Sequence, residues 1–170
     1  MSWKTALSFI AFVTLLILLT GWLTINRILP VETSLNYSTD ESNFIQFWLK
    51  LAVLIGIVLP GVALLIFWRN CDPRKILGFY LLVLVIQIVT EAVFSRVLFP
   101  SIVVTIGTFY TAFRIWQLWQ GQQIMATTAE LGTGSRTLLR ALLGLMLIFW
   151  SSNLIMLFTL PWQKILSGNL

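Results

Sequence analysis

Long apolar segments with few charged residues are the feature that most constrains how this chain folds. Of its 170 residues, 58% are hydrophobic and 10% are charged, whereas soluble domains carry about 25% charged residues. Each helical crossing of a lipid bilayer needs about 20 consecutive apolar residues. We therefore predict an all-α, polytopic integral membrane bundle of about five transmembrane helices, formed by a single domain over residues 1–170.

The ends of the five helices are predicted from turn and capping residues. Ser42 or Asn43 can cap the second helix, because a short polar side chain can accept from the free N–H groups of a first turn. Asp72 and Pro73 fit the N-cap and first position of the third helix. The expected helices are approximately 3–28, 44–68, 73–98, 101–119 and 136–160. A re-entrant hairpin is the alternative for the third and fourth helices, because only a short turn joins them.

Three local features refine this picture. The first apolar run is too long for the core of a secretion signal, so we expect an uncleaved first helix. The sequence "GIVLPGV", with Gly56, Pro60 and Gly61, is expected to kink or thin the second helix, which membrane helices tolerate. Residues 120–135, which include three glycines, are expected to form a polar linker, in which "IMATTAEL" is a candidate for a short interfacial helix.

The distribution of Lys and Arg predicts that the N-terminus lies inside and the C-terminus outside. With five spans, seven basic residues then fall on the cytoplasmic side and four on the other side, together with the acidic loop that contains Glu32, Asp40 and Glu41. Cytoplasmic loops carry an excess of Lys and Arg. The seven inner residues are Lys4, Arg69, Arg74, Lys75, Arg114, Arg136 and Arg140.

The absence of histidine and the single cysteine, Cys71, exclude most familiar site chemistries. Haem, zinc and non-haem iron sites, and the usual nucleophile–base pairs, need side chains that this chain lacks. We therefore expect no catalytic set, metal or cofactor. The net charge of +5 comes from basic residues scattered singly, which favours contact with lipid headgroups over binding of nucleic acid.

Polar residues within the apolar segments are predicted to share one layer in the outer half of the membrane. Glu91 lies roughly 10 Å and Lys50 about 9 Å from the outer ends of their helices, at ~1.5 Å rise per residue. Gln87 is four residues before Glu91 and shares its helix face. Thr108 and Asn153 lie at a similar depth on the fourth and fifth helices. These five residues form the candidate intramembrane polar site.

The charge of Glu91 requires compensation, because a charged residue near a helix centre costs about 2.5–3.5 kcal/mol on insertion scales. Lys50 is the best match in depth for an ion pair, with Arg27 and Arg96 as the next choices. Lys50 can instead extend to the outer headgroups. The polar layer has three interpretations. Its side chains form hydrogen bonds between helices, line an outward-facing cavity filled with water or a ligand, or bring Glu91 to face a partner subunit.

A second candidate lies at the cytoplasmic side. Arg136 and Arg140 are four residues apart on one helix face, so they can contact one anionic headgroup. The alternative is that both residues, with Arg114, only determine topology.

Three classes of function remain. The leading hypothesis is a non-catalytic integral membrane protein that acts by binding, as an accessory or assembly subunit of a larger membrane complex. The first alternative is a small, oligomeric transporter or channel with an outward-facing polar site around Glu91. The second is a lipid-modifying enzyme, although general acid–base catalysis usually needs a further titratable group. The expected partners are the bilayer and other membrane subunits, in a bacterial inner membrane or an organellar one of the thylakoid type.

Overall fold

The chain is all-helical, as its apolar segments predict. In a computed structural model, which describes residues 3–29, 31–128 and 131–167, the described residues contain helices and turns but no strand. A π-helical segment, Leu54–Val58, joins α2 to α3. The α-helices are α1 (Trp3–Ile25), α2 (Thr39–Val53), α3 (Leu59–Ile66), α4 (Cys71–Val97), α5 (Ile102–Thr127), α6 (Thr133–Thr159) and α7 (Pro161–Ser167).

Four helical segments are long and apolar enough to cross a membrane. The fifth long helix, α5, has 26 residues and interrupts its apolar sequence with Arg114 and Gln117. The protein therefore has four to five long apolar helices that could span a bilayer. The four segments are Lys4–Ile25, Thr39–Ile66, Cys71–Val97 and Thr133–Leu166.

The described chain divides into two compact units, and α4, α5 and α6 contribute residues to both. Unit 1 comprises Met1–Asn36, Leu84–Ala112 and Asn153–Leu170, and unit 2 comprises Tyr37–Val83 and Phe113–Ser152.

In unit 1, α1 packs along a single stripe of side chains. Val13 and Ile17 are fully buried, and Phe9 meets the ring of Tyr110 edge-on at 5.5 Å between centroids. These positions recur at helical spacing, so one face packs while the opposite face exposes residues such as Leu15. The first loop is fixed to the same unit, because the N–H of Ser101 donates to Thr33 O at 3.2 Å.

In unit 2, the predicted irregularity of the second helix is a π-helical segment. The N–H of Leu59 donates to the carbonyl of Leu54, five residues earlier. Pro60, at the start of α3, has no N–H, and its ring would clash with a carbonyl in a regular α-helix. A π-turn directly before the proline accommodates both constraints.

The start of α2 differs from the sequence prediction. The helix begins at Thr39, five residues before the expected 44, and its N-cap is Ser38 rather than Ser42 or Asn43. Ser38 and Glu41 form a reciprocal capping box, which satisfies two N–H groups. Beside this cap, burial first and the charge of Glu41 second raise the pKa of Tyr37.

The helix α5 continues to Thr127, eight residues beyond the expected end at 119. Residues 120–127 were expected to be linker, but the C-terminal part of α5 packs closely within unit 2. A Cβ at Gly121 would lie 2.9 Å from a methyl group of Ile76, and Thr128 donates to a carboxylate oxygen of Asp72 at 2.7 Å. Ala129 and Glu130 lie outside the described residues.

The other ends differ by a few residues. The helix α1 ends at Ile25 instead of 28, where Arg27 adopts a left-handed backbone conformation with φ of 56°. The helix α4 already begins at Cys71, so Asp72 lies in its first turn instead of at its N-cap. The last long helix starts at Thr133, and the tail after it forms α7.

Candidate functional site

The predicted polar face of α4 is present in unit 1. Gln87 is buried, and its Nε2 donates to Oε1 of the half-buried Glu91 at 2.7 Å. On α5, a Cβ at Gly107 would lie 3.8 Å from the same carboxylate oxygen. The carboxylate of Glu91 therefore lies beside α5 at Gly107, where a Cβ would make only ordinary van der Waals contact with it.

Thr108 connects α5 to α7 in unit 1. The indole Nε1 of Trp162 donates to Thr108 Oγ1 at 2.8 Å. That hydroxyl in turn donates to the carbonyl of Val104 at 2.7 Å, one helical turn earlier. Thr108 was a candidate site residue, whereas the sequence analysis did not identify Trp162 as its partner.

Asn153 connects α6 to α5. Its Nδ2 donates to Oγ1 of the fully buried Thr111 at 3.3 Å, and Asn153 itself is 8% exposed. Such a contact between polar side chains is typical of packed membrane helices. Four of the five predicted site residues thus lie in unit 1 and form hydrogen bonds there.

The fifth predicted residue, Lys50, belongs to unit 2 and has an exposed side chain on α2. Exposure favours the alternative in which its long side chain extends to the headgroups. Its pairing with Glu91 stays a prediction. The other two cations considered for Glu91, Arg27 and Arg96, are in unit 1 and have exposed side chains.

The two arginines proposed for headgroup contact lie near the start of α6. Arg136 is half-buried and Arg140 is exposed. The backbone carbonyl of Arg140 accepts a hydrogen bond from Gln122 Nε2 at 2.8 Å, which leaves the guanidinium to other contacts. The headgroup role of both arginines stays a prediction.

The most deeply buried cation is one that the sequence analysis assigned to the cytoplasmic loop. Arg114 is 0% exposed in unit 2, and it lies 13 residues before the end of α5 at Thr127. Its guanidinium carbon lies 4.0 Å from the ring centroid of Trp150 and 5.6 Å from that of Tyr80. Cations over aromatic faces gain about 2 kcal/mol or more when desolvated.

The two rings beside Arg114 are themselves fixed. Trp150 Nε1 donates to the Tyr80 hydroxyl at 2.8 Å. A Cβ at Gly56 would lie 2.8 Å from a ring carbon of Trp150 and 3.3 Å from the Tyr80 oxygen. Because Gly56 is part of the π-helical segment, the irregular backbone directly contacts the aromatic pair. π-Turns are frequent at functional sites.

Gln117 is the second buried polar residue on this face of α5. It is 1% exposed, and within the described part of the chain neither Nε2 nor Oε1 has a hydrogen-bond partner. We call Gln117, Arg114, Trp150, Tyr80 and Gly56 the unit 2 site. In the sequence, this site is indicated only by Arg114 and Gln117, which lie about one helical turn apart and are flanked by apolar residues.

Among the described residues, no group of three or more His, Cys, Asp or Glu side chains could hold a metal ion. The polar side chains of unit 1 and of the unit 2 site can form hydrogen bonds, and they are of the types that can bind a charged or polar group. No protein-family model, curated protein or solved structure matches the chain. Its function is therefore inferred from its own residues.

Proposed function

We propose that the protein is an integral, multi-pass membrane protein that acts by binding, as an accessory or assembly subunit of a larger membrane complex. The observation that carries this proposal is the exposure of α2. None of its side chains is buried by the described residues, and Phe44, Phe47 and Leu49 are among its exposed hydrophobic side chains. A helix that exposes several apolar side chains and buries none can pack against a partner subunit within the membrane.

The polar groups of unit 1 support the same function. The side chains of Gln87, Thr108 and Asn153 form hydrogen bonds within or between helices. Such contacts stabilise a helix bundle, and a bundle with a rigid interior suits a subunit that presents its outer surface to a partner.

Site-specific crosslinking tests this proposal. A photoreactive amino acid replaces Phe47 on α2 or, as the control, Leu15 on α1, which are 58% and 66% exposed. We expect irradiation of intact membranes to give one discrete protein adduct from position 47 and only lipid adducts from position 15. Lipid adducts alone from both positions, with a chain that purifies without a second protein, would overturn the proposal.

The orientation belongs to the proposal too: we infer an inside N-terminus from the positions of the basic residues. Cys71 is the only cysteine of the chain and is half-buried at the start of α4. In right-side-out vesicles, a membrane-impermeant maleimide should label Cys71 only after lysis. A cysteine at the exposed position Ser34 in a Cys71→Ser background should react before lysis. The reverse pattern would show an outside N-terminus.

The second candidate function is a small transporter or channel, favoured by the half-buried carboxylate of Glu91 beside Gly107. An acid at such a place can bind and release a proton or a cation. Reconstituted vesicles that show pH-dependent flux in the wild type, and no flux with Glu91→Gln in a folded protein, would favour this function over the subunit role.

A further inference from the structure

The side-chain amide of Gln117 is the starting point for a ligand site in unit 2. A buried amide that forms no hydrogen bond costs about 1–3 kcal/mol for each unsatisfied group. Gln117 is 1% exposed, and both its amide atoms have no hydrogen-bond partner among the described residues. An occupant that offers both an acceptor for Nε2 and a donor for Oε1 would remove this cost.

The charge beside Gln117 specifies the occupant further. Arg114 lies three residues earlier, so the two side chains share a face of α5. A guanidinium carries a permanent positive charge and five N–H donors in a planar fork that matches oxyanions. The guanidinium carbon lies 4.0 Å from the ring centroid of Trp150, so the positive charge is held within unit 2, one helical turn from Gln117.

We propose that Gln117 and Arg114 bind a small oxyanion that keeps at least one O–H group, of the hydrogencarbonate or dihydrogenphosphate type. The O–H donates to Gln117 Oε1, an adjacent oxygen accepts from Nε2, and a charged oxygen faces the guanidinium of Arg114. This pairing forms two parallel hydrogen bonds with one amide and places the negative charge beside the positive one. The inference rests on the proposal that the protein acts by binding, and it names a ligand for it.

Binding of anions with and without an O–H group tests which type of anion the site accepts. The wild-type protein is placed in nanodiscs of phosphatidylcholine, whose phosphodiester has no O–H. Hydrogencarbonate, dihydrogenphosphate, acetate and chloride are then added at equal ionic strength, at a pH at which the first two keep their O–H. We expect a saturable rise in unfolding temperature with the first two anions and none with acetate, which lacks the donor, or with chloride.

A pair of matched variants tests whether Gln117 binds the anion. Gln117→Leu removes both amide atoms at similar volume, and we expect at least roughly tenfold weaker binding of both oxyanions, since hydrogen bonds to charged groups are the stronger ones. Gln123→Leu makes the same change at an exposed position of the same helix, and we expect its binding to equal that of the wild type. Nanodiscs doped with phosphatidate show whether a lipid phosphomonoester competes for the site with the free ion.

The proposal has clear contrary outcomes. The absence of a saturable shift with any anion would show that water alone occupies the site. Equal shifts with acetate and chloride would show general ionic effects. Unchanged binding in Gln117→Leu would place the anion elsewhere, and the wild-type anion series remains decisive if that variant does not fold. None of these results affects the crosslinking from position 47, so the two proposals fail separately.

Discussion

The buried side-chain amides of unit 1 and unit 2 differ in whether they find hydrogen-bond partners among the described residues. In unit 1, Gln87 bonds to Glu91 and Asn153 bonds to Thr111, amide to oxygen. In unit 2, Arg114 lies on aromatic rings, and Gln117 finds no partner among the described residues. The first arrangement is typical of helix packing, whereas the second leaves a buried amide that needs an explanation beyond packing.

The glycines beside the two polar groups differ in the same way. A Cβ at Gly56 would meet the ring of Trp150 at 2.8 Å, whereas a Cβ at Gly107, beside Glu91, would have only ordinary contacts at 3.8 Å. The unit 2 site thus needs its glycine for close packing, whereas the backbone beside Glu91 would tolerate a methyl group. Four substitutions, in order of decreasing expected effect, test this comparison.

Gly56→Ala should have the largest effect. The added methyl group would lie 2.8 Å from the ring of Trp150, so the ring must shift although it is bonded to Tyr80, and overpacking costs about 1–3 kcal/mol. Gly61→Ala is the control, because a Cβ there meets nothing within 4 Å. Reversible unfolding in detergent measures both. If Gly56→Ala is as stable as Gly107→Ala, the two units do not differ in this way.

Trp150→Phe should destabilise the fold more than Trp162→Phe. The first change leaves the buried hydroxyl of Tyr80 without its donor and weakens the ring contact to Arg114, at a cost of about 1–3 kcal/mol. The second removes only a part-buried bond to Thr108, worth about 0.5–1.5 kcal/mol. Equal losses of unfolding free energy would contradict a special role for the unit 2 rings.

Thr111→Val tests the helix contact of unit 1. The change removes the hydroxyl that accepts from the buried Asn153 Nδ2 at 3.3 Å. Because this bond is longer than the 2.8 Å bond between Trp150 and Tyr80, we expect a loss at the lower end of about 1–3 kcal/mol. The oxyanion affinity of unit 2 should stay unchanged. A variant that binds oxyanions more weakly would show that this contact also determines ligand binding.

Glu91→Gln should have the smallest effect on stability. Glutamine keeps an acceptor oxygen for Gln87 Nε2, so the unfolding free energy should stay within about 0.5 kcal/mol of the wild type, as for changes that break no buried network. A larger loss would show that the negative charge of Glu91, and not only its oxygen, stabilises unit 1.

The fold was predictable wherever local chemistry determines it. Long apolar runs predicted the helices, and the spacing of Gln87 and Glu91 predicted a shared face. The start of α2 was also predictable, because Ser38 and Glu41 have the spacing of a capping box. That signal was missed since the surrounding polar residues resemble a loop. Likewise, the glutamines after residue 119 are good helix formers that were interpreted as linker.

The unit 2 site was not predictable, because its parts come from distant positions in the chain. Arg114 acquires its environment from Tyr80 and Trp150, which precede and follow it by more than 30 residues. Nothing in the sequence pairs these helices. The predicted end of this helix at residue 119 was also too early. It placed Arg114 close to the cytoplasmic end of the helix, where membrane topology alone explains an arginine.

Native mass spectrometry of the tagged, full-length chain, extracted from its own membrane in mild detergent, tests the central claim most directly. The claim that the protein acts as a binding subunit predicts a stoichiometric complex with one defined second protein, lost when Phe47 on the exposed face of α2 is changed to Asp. A chain that is found only alone or with copies of itself, while the wild type shows pH-dependent flux in vesicles, would contradict it.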